Sequence, residues 1–295
     1  MDSYDKSGAG QDVITGVLCG SAVEEYARAR YLALGSIFET RGENARFIRL
    51  MLEEEGHAAT IAGLSDRAET LLEKLVAGQI AHITRLAEFH AHETIEEIRQ
   101  VFAYLLADHL THHWLLAHKL SQKEGLSPLA QSSFRERQGR PLEAQRFDPH
   151  NVLKTPCDRG LTPPVSKVRV RLALAQETVI RKSYLTAIAF SKDRHLHQLC
   201  REAASVDDLH IAMLASMIDR SEGRLEEALL IELTEIAAFD RASAAIPPGP
   251  LRDVFVRLRA EDNEHFEALS ASYRGQGRAR PGLDLAPAPY SKAGR

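Results

Sequence analysis

A single offset aligns this chain with itself. Shifted by 153 residues, Asp66–Glu73 (DRAETLLE) falls over Asp219–Glu226 (DRSEGRLE), Val101-Phe102 over Val254-Phe255, and Tyr31-Leu32 over Tyr184-Leu185. At the same shift Glu24 and Arg28 lie over Glu177 and Arg181, His57 over His210, and His112 over His265. One match would be chance. Matches along the whole chain at one ungapped shift indicate duplication of a structural unit.

The unit is helical. Apolar periodicity of the helical kind runs from about Val13 to Lys119 and again from about Val168 to Tyr273. Between them, Ser121–Ser166 carries Pro128, Pro141, Pro149, Pro156, Pro163 and Pro164, too many for long helices. A structureless loop of that length is unusual inside one compact domain, which favours two units. The first block divides into helices at about 13–40, 43–64, 67–90 and 94–119. The second divides at about 167–192, 196–218, 221–243 and 250–273, with Ile246–Pro250 (IPPGP) separating its last two. Short connections favour antiparallel neighbours, so the predicted fold is all-α, with two tandem four-helix bundles related by internal duplication. The expected division is a first bundle over 12–122, a proline-rich linker over 123–166, a second bundle over 167–274, and a tail over 275–295. The Gly, Pro, Arg and Ala content of that tail predicts disorder.

Composition narrows the functional classes. With 295 residues, 44% hydrophobic and 26% charged, the chain can bury the cores of two ordinary domains. A net charge of -4 gives no strong attraction to nucleic acid or to an anionic membrane surface. No apolar run approaches the roughly 20 residues needed to cross a bilayer, and the N-terminus lacks a signal-peptide pattern. Cys19, Cys157 and Cys200 are scattered without metal-type spacing, which suits a reducing compartment. A cytoplasmic protein is expected. A homodimer is compatible with base rates alone.

The chemistry lies in polar residues on faces that should be apolar. The last helix of the second block presents Leu251, Phe255, Leu258, Asp262, His265 and Leu269 on one stripe, so an acid and a histidine three residues apart interrupt the seam. Its second helix repeats the device with Asp207 and His210 between Cys200, Ala203, Leu214 and Met217. Its first helix sets Glu177 on the stripe of Val170, Ala173, Ile180 and Tyr184, and its third sets Glu232 and Glu235 between Ala228 and Phe239. Burying such charges costs several kcal/mol apiece unless something compensates. Divalent cations compensate well, and carboxylate with imidazole suits iron, manganese or zinc.

This pattern resembles the ferritin-like carboxylate superfamily, whose bundles take a Glu from each of two helices and a Glu-x-x-His from each of the other two to hold two iron or manganese ions. The resemblance covers the four helices of each block. It implies that Glu177, Asp207, His210, Glu235, Asp262 and His265 are ligands of one site, with Glu232 a rival to Glu235. Both acid-x-x-His pairs of this block start with Asp, a shorter reach than Glu. In the first block Glu24 and the Glu54-x-x-His57 pair match the pattern. There Gln79 and His82 replace the two glutamates of the third helix, while His109 and His112 replace the acid and histidine of the fourth, with Asp108 adjacent. That poorer set suits one metal, an altered pair, or a degenerate site.

By this resemblance the chain is expected to be a non-haem di-metal oxidoreductase. It would hold two iron ions, with manganese or zinc as alternatives, and act with dioxygen or peroxide on a small organic substrate. A ferroxidase or metal-storage protein is the first alternative, and a helical scaffold with decayed sites is the second. Tyr31 and Tyr184, about 10 Å along the helix from Glu24 and Glu177, read as packing residues. Glu24/Arg28 and Glu177/Arg181 fit either ligand-holding pairs or ordinary helix pairs. The shared Asp-Arg at 66–67 and 219–220 reads as a cap or turn contact.

Overall fold

The computed structural model describes residues 10–36, 41–65, 70–124, 162–219 and 221–275. Among these there are eight helices and no strand: α1 (Gln11–Gly35), α2 (Arg41–Ala62), α3 (Leu71–His92), α4 (Glu96–Glu124), α5 (Pro164–Phe190), α6 (Arg194–Met217), α7 (Arg224–Ala245) and α8 (Pro250–Gly275). The all-α expectation holds. Most of the expected linker, nearly all of the tail and the Asp66-Arg67 pair lie outside the described residues. In the second copy, the Asp219 side chain accepts from the Ser221 amide at 2.8 Å, a turn contact.

Local chemistry sets the helix ends. Thr70 and Glu73 form a capping box at the start of α3, the hydroxyl accepting from the Glu73 amide at 3.3 Å and the carboxylate from the Thr70 amide at 2.7 Å. Asp193 caps α6 by accepting from the amides of His195 and Leu196. Helix α5 starts at Pro164, three residues ahead of the expected 167, because a proline in the first turn gives up an amide that has no helical partner there. Pro250 opens α8 in the same way, after Gly249 at φ 153°.

Consecutive helices pack as hairpins, α1 with α2, α3 with α4, α5 with α6 and α7 with α8. The hairpins then associate across the repeat, with α1 against α7, α3 against α5, and α4 against α6. The first two helices of each block therefore join the last two of the other, and the expectation that each block closes its own bundle is corrected. Offset similarity shows which helices are equivalent. It carries no information on which copy a hairpin will pair with, because both pairings bury the same faces.

Side chains at the junctions bear this out. Arg30 of α1 pairs with Glu227 of α7, Arg46 of α2 donates to Ser272 of α8 at 2.5 Å, and Lys119 of α4 meets Asp193 at the start of α6 at 2.8 Å. Gly16 and Gly20 of α1 allow the close approach. A Cβ on Gly16 would stand 3.1 Å from Ile246 at the end of α7, and one on Gly20 3.0 Å from Phe255 of α8 and 3.3 Å from Phe239 of α7. The inner helices α1, α3, α5 and α7 also touch within blocks, and one large apolar core runs through both helix groups across them. A smaller core around Leu75, Leu116, Tyr184 and Cys200 belongs to α3–α6 alone. Among the described residues, no helix is long and apolar enough to cross a membrane.

Candidate metal centres

The exchanged pairing yields two buried clusters, one in each four-helix group. In the α1/α2/α7/α8 group, Glu24, Glu54, Glu232, Glu235 and Asp262 are buried, with His57 and His265 at the edge. Two sets of potential ligand atoms overlap here. Glu24, Glu54 and His57 form one; Glu54, Glu232, Asp262 and His265 form the other; within each the atoms lie within 4.8 Å of one another. Glu54 belongs to both, the position of a carboxylate that bridges two ions.

The imidazoles are held from behind. The Nδ1 of His57 faces Glu54 at 2.9 Å and Glu24 at 3.6 Å, and its Nε2 meets Glu261 at 2.9 Å. The Nδ1 of His265 faces Glu232 at 3.5 Å and Glu54 at 3.6 Å, and its Nε2 meets Glu53 at 3.2 Å. Each Nε2 is thus held by an outer carboxylate, and each Nδ1 is turned to the cluster. The arrangement is reciprocal: α2 supplies Glu53 to the histidine of α8, and α8 supplies Glu261 to the histidine of α2.

Inside, nine polar atoms make no hydrogen bond: both oxygens of Glu24, Glu235 and Asp262, one each of Glu54 and Glu232, and Nδ1 of His265. Burial, then mutual repulsion, pushes Glu24, Glu235 and Asp262 well above the usual carboxylate range, and burial takes Glu232 up to about 7. Burial also works to raise Glu54, but the His265 and His57 imidazoles beside it outweigh that and the net shift is down. His265 would be lowered by burial, yet Glu232 and Glu54 raise it to about 11. Five acids around two imidazoles, with orphan oxygens inward, form a donor set that cations would complete.

The second cluster joins α3, α4, α5 and α6. His109, Glu177, Asp207 and His210, all buried, place ligand atoms within 4.8 Å of one another. Glu177 Oε1 lies 2.8 Å from His109 Nε2, 2.9 Å from His82 Nε2 and 3.4 Å from His210 Nδ1. His112 approaches from the side, its Nδ1 3.9 Å from Asp207. Burial and then the charge of Glu177 take Asp207 up to about 9. Burial alone would raise Glu177, but His109 and His82 beside it drive it well below the usual range. Burial takes His109 down to about 4.

Sequence reasoning placed Glu177, Asp207, His210, Glu235, Asp262 and His265 in one site. The structure divides them: Glu177, Asp207 and His210 join His82, His109 and His112, while Glu235, Asp262 and His265 join Glu24, Glu54 and His57. The apparent decay of the first block is thus a property of one cluster. All four of its departures (Gln79, His82, His109 and His112) gather in α3/α4. Glu232 and Glu235 are both buried in the carboxylate-rich cluster, and of the two it is Glu232 that shares a group of close ligand atoms.

Three features were missed. The anchors Glu53, Glu261 and Asp108 each precede a cluster residue by one position, and Asp108 and Glu261 are equivalent at the 153-residue offset, a signal the repeat alone carried. The tyrosines also have polar roles. Tyr31 donates to Glu232, and the Tyr184 hydroxyl accepts from Gln79 at 2.8 Å, again equivalent pairs. Arg181 turns to Asp208 and not to Glu177.

Fold and clusters together define a class: an all-helical protein with buried carboxylate–histidine clusters able to hold metal ions. No family model matches the chain, and no solved structure matches it significantly. Among curated proteins, an imidazolonepropionase of Bradyrhizobium diazoefficiens is 29% identical over 187 residues, an alignment covering 55% of this chain and 46% of that protein. The chain spans about half the length of the curated relative it matches.

Proposed function

We propose that the chain is a non-haem di-metal oxidoreductase, with two iron ions at the α1/α2/α7/α8 cluster acting with dioxygen or peroxide on a small organic molecule. The observation that carries this is Glu54, common to two overlapping ligand groups and surrounded by buried oxygens without hydrogen bonds. Glu24 and His57 would serve one ion and Glu232, Asp262 and His265 the other, with Glu235 buried among these acids. A bound iron pair would supply redox chemistry with oxygen. The chain's own contribution is to fix the two Nδ1 atoms through Glu53 and Glu261, to exclude bulk water, and to hold a proton between Tyr31 and Glu232.

The test begins with anaerobic loading of full-length protein with ferrous iron. Oxygen uptake is then followed with and without Glu54→Ala, and metal content is measured for both. Wild type should hold iron at this cluster and consume oxygen, and the variant should lose about two equivalents and the uptake. Absence of metal here after exposure to iron, manganese and zinc would end the proposal. Continuous iron oxidation with iron as the substrate would favour the ferroxidase alternative. Turnover of imidazolonepropionate without oxygen uptake would favour a role shared with the partly similar imidazolonepropionase.

A further inference from the structure

The α3–α6 cluster does not fit a metal pair. Its ligand carboxylates are two, Glu177 and Asp207, against five in the other cluster. Two divalent ions would leave about two positive charges buried, and a buried net charge is expensive. One divalent ion is balanced by these two acids. We propose that His109, Glu177, Asp207 and His210 form a second, independent metal centre that takes a single divalent transition ion of the zinc class.

Geometry supports a small four-coordinate ion. Tetrahedral zinc with ligands at about 2.0–2.1 Å sets neighbouring ligand atoms about 3.3 Å apart. The observed separations are 2.8 Å (Glu177 to His109), 3.4 Å (Glu177 to His210) and 4.0 Å (Asp207 to His210), which bracket that value. Several polar atoms of the set are also unsatisfied. Both oxygens of Asp207, Oε2 of Glu177 and Nδ1 of His210 make no hydrogen bond, although all three residues are fully buried.

The far nitrogens of the two ligand rings are pinned. Asp108 accepts from His210 Nε2 at 3.0 Å, which leaves the Nδ1 of that ring directed at Glu177. His109 Nδ1 meets the amide oxygen of Gln79 at 3.0 Å, and Gln79 is in turn fixed by Tyr184. With Nδ1 donating to that amide, the Nε2 lone pair of His109 points at a carboxylate oxygen 2.8 Å away, a contact a cation between them would make favourable. His112 has no such anchor. At the position equivalent to Glu53, which holds His265, the chain has Val206, so His112 is left outside the set.

The test uses full-length protein stripped with a chelator and then dialysed against zinc, with metal counted per chain and folding followed by circular dichroism. Wild type should regain one equivalent beyond those held by the carboxylate-rich cluster. Asp207→Asn, which breaks no hydrogen bond present here, and His210→Ala should each lose that one equivalent and keep the rest. Glu54→Ala should keep it while losing the others. Zinc content unchanged in folded Asp207→Asn and His210→Ala would overturn the proposal, as would loss of two equivalents from either. Cobalt at the same site should show the intense visible absorption of a four-coordinate ion, and a weak six-coordinate spectrum would also count against it. The outcome does not depend on whether the other cluster binds iron.

Discussion

Three histidines here are held by an acid one position before a cluster residue: His57 by Glu261, His265 by Glu53, and His210 by Asp108. Each acid fixes a ring tautomer and orientation, and loss of such a partner typically weakens metal binding about 10- to 100-fold. Asp108→Asn should therefore weaken zinc binding at the α3–α6 cluster by about that factor and leave the carboxylate-rich cluster unchanged. Glu261→Gln should do the reverse, and competition titration with a chromophoric chelator would read both. An equal effect of either variant on both clusters would show that the acids act through general stability. At this scale the sequence was informative about which side chains are inward. Glu177, Asp207, His210 and Asp262, each picked out as breaking an apolar stripe, are all buried. It was uninformative about second partners, because Glu53 and Glu261 lie off the stripe and reach the rings only across a helix junction.

Helices carry the same lesson one level up. Periodicity located all eight, with ends within about five residues, but it did not see that Thr70 and Pro164 set the starts of α3 and α5. It did not reveal that α1/α2 closes on α7/α8, since an amphipathic hairpin has the same buried face whichever copy it meets. The choice is made by contacts between distant residues: Arg30 with Glu227, Arg224 reaching the Leu34 carbonyl at 2.6 Å and Asn44 at 2.7 Å, and Gly20 against Phe239 and Phe255. This exchange has a direct consequence for the divided chain. Expressed alone, residues 1–124 contain Glu24, Glu54 and His57 without their partners from α7 and α8, and should bind no metal pair. The same holds for residues 162–295. Co-expressed, the two pieces should co-purify as a one-to-one complex and recover the metal content of the intact chain. Full metal binding by residues 162–295 alone would restore the closure of each block on itself.

For the whole molecule, the clusters decide how stability responds to pH. In the metal-free protein the acids Glu24, Glu235 and Asp262 are shifted up, Glu232 to about 7 and Asp207 to about 9. An acid raised in the folded state keeps a proton that the unfolded chain releases near pH 4, so stability falls as pH climbs from there through the folded value. Raised histidines act in the same direction at higher pH. His210 at about 9 and His265 at about 11 stabilise fully below about 6.5, and that contribution is lost as pH rises through the folded values. Opposing shifts are confined to lower pH. Glu54 and Glu177 are lowered and lose their contribution only in acid, while His109 and His112 are lowered and oppose the trend below about 6.5. Above that point every shifted group in the clusters pulls one way, so the melting temperature of chelated protein should fall steadily from pH 6.5 to 8.5. Metal ions compete with protons for the same atoms and bind better as pH rises, and a ligand that binds only the folded chain raises its stability. Calorimetry of metal-loaded protein over that interval should therefore show a gap to the chelated form that widens with pH. A constant gap, or a chelated protein that gains stability, would mean that these buried acids and imidazoles are already neutralised by something other than metal.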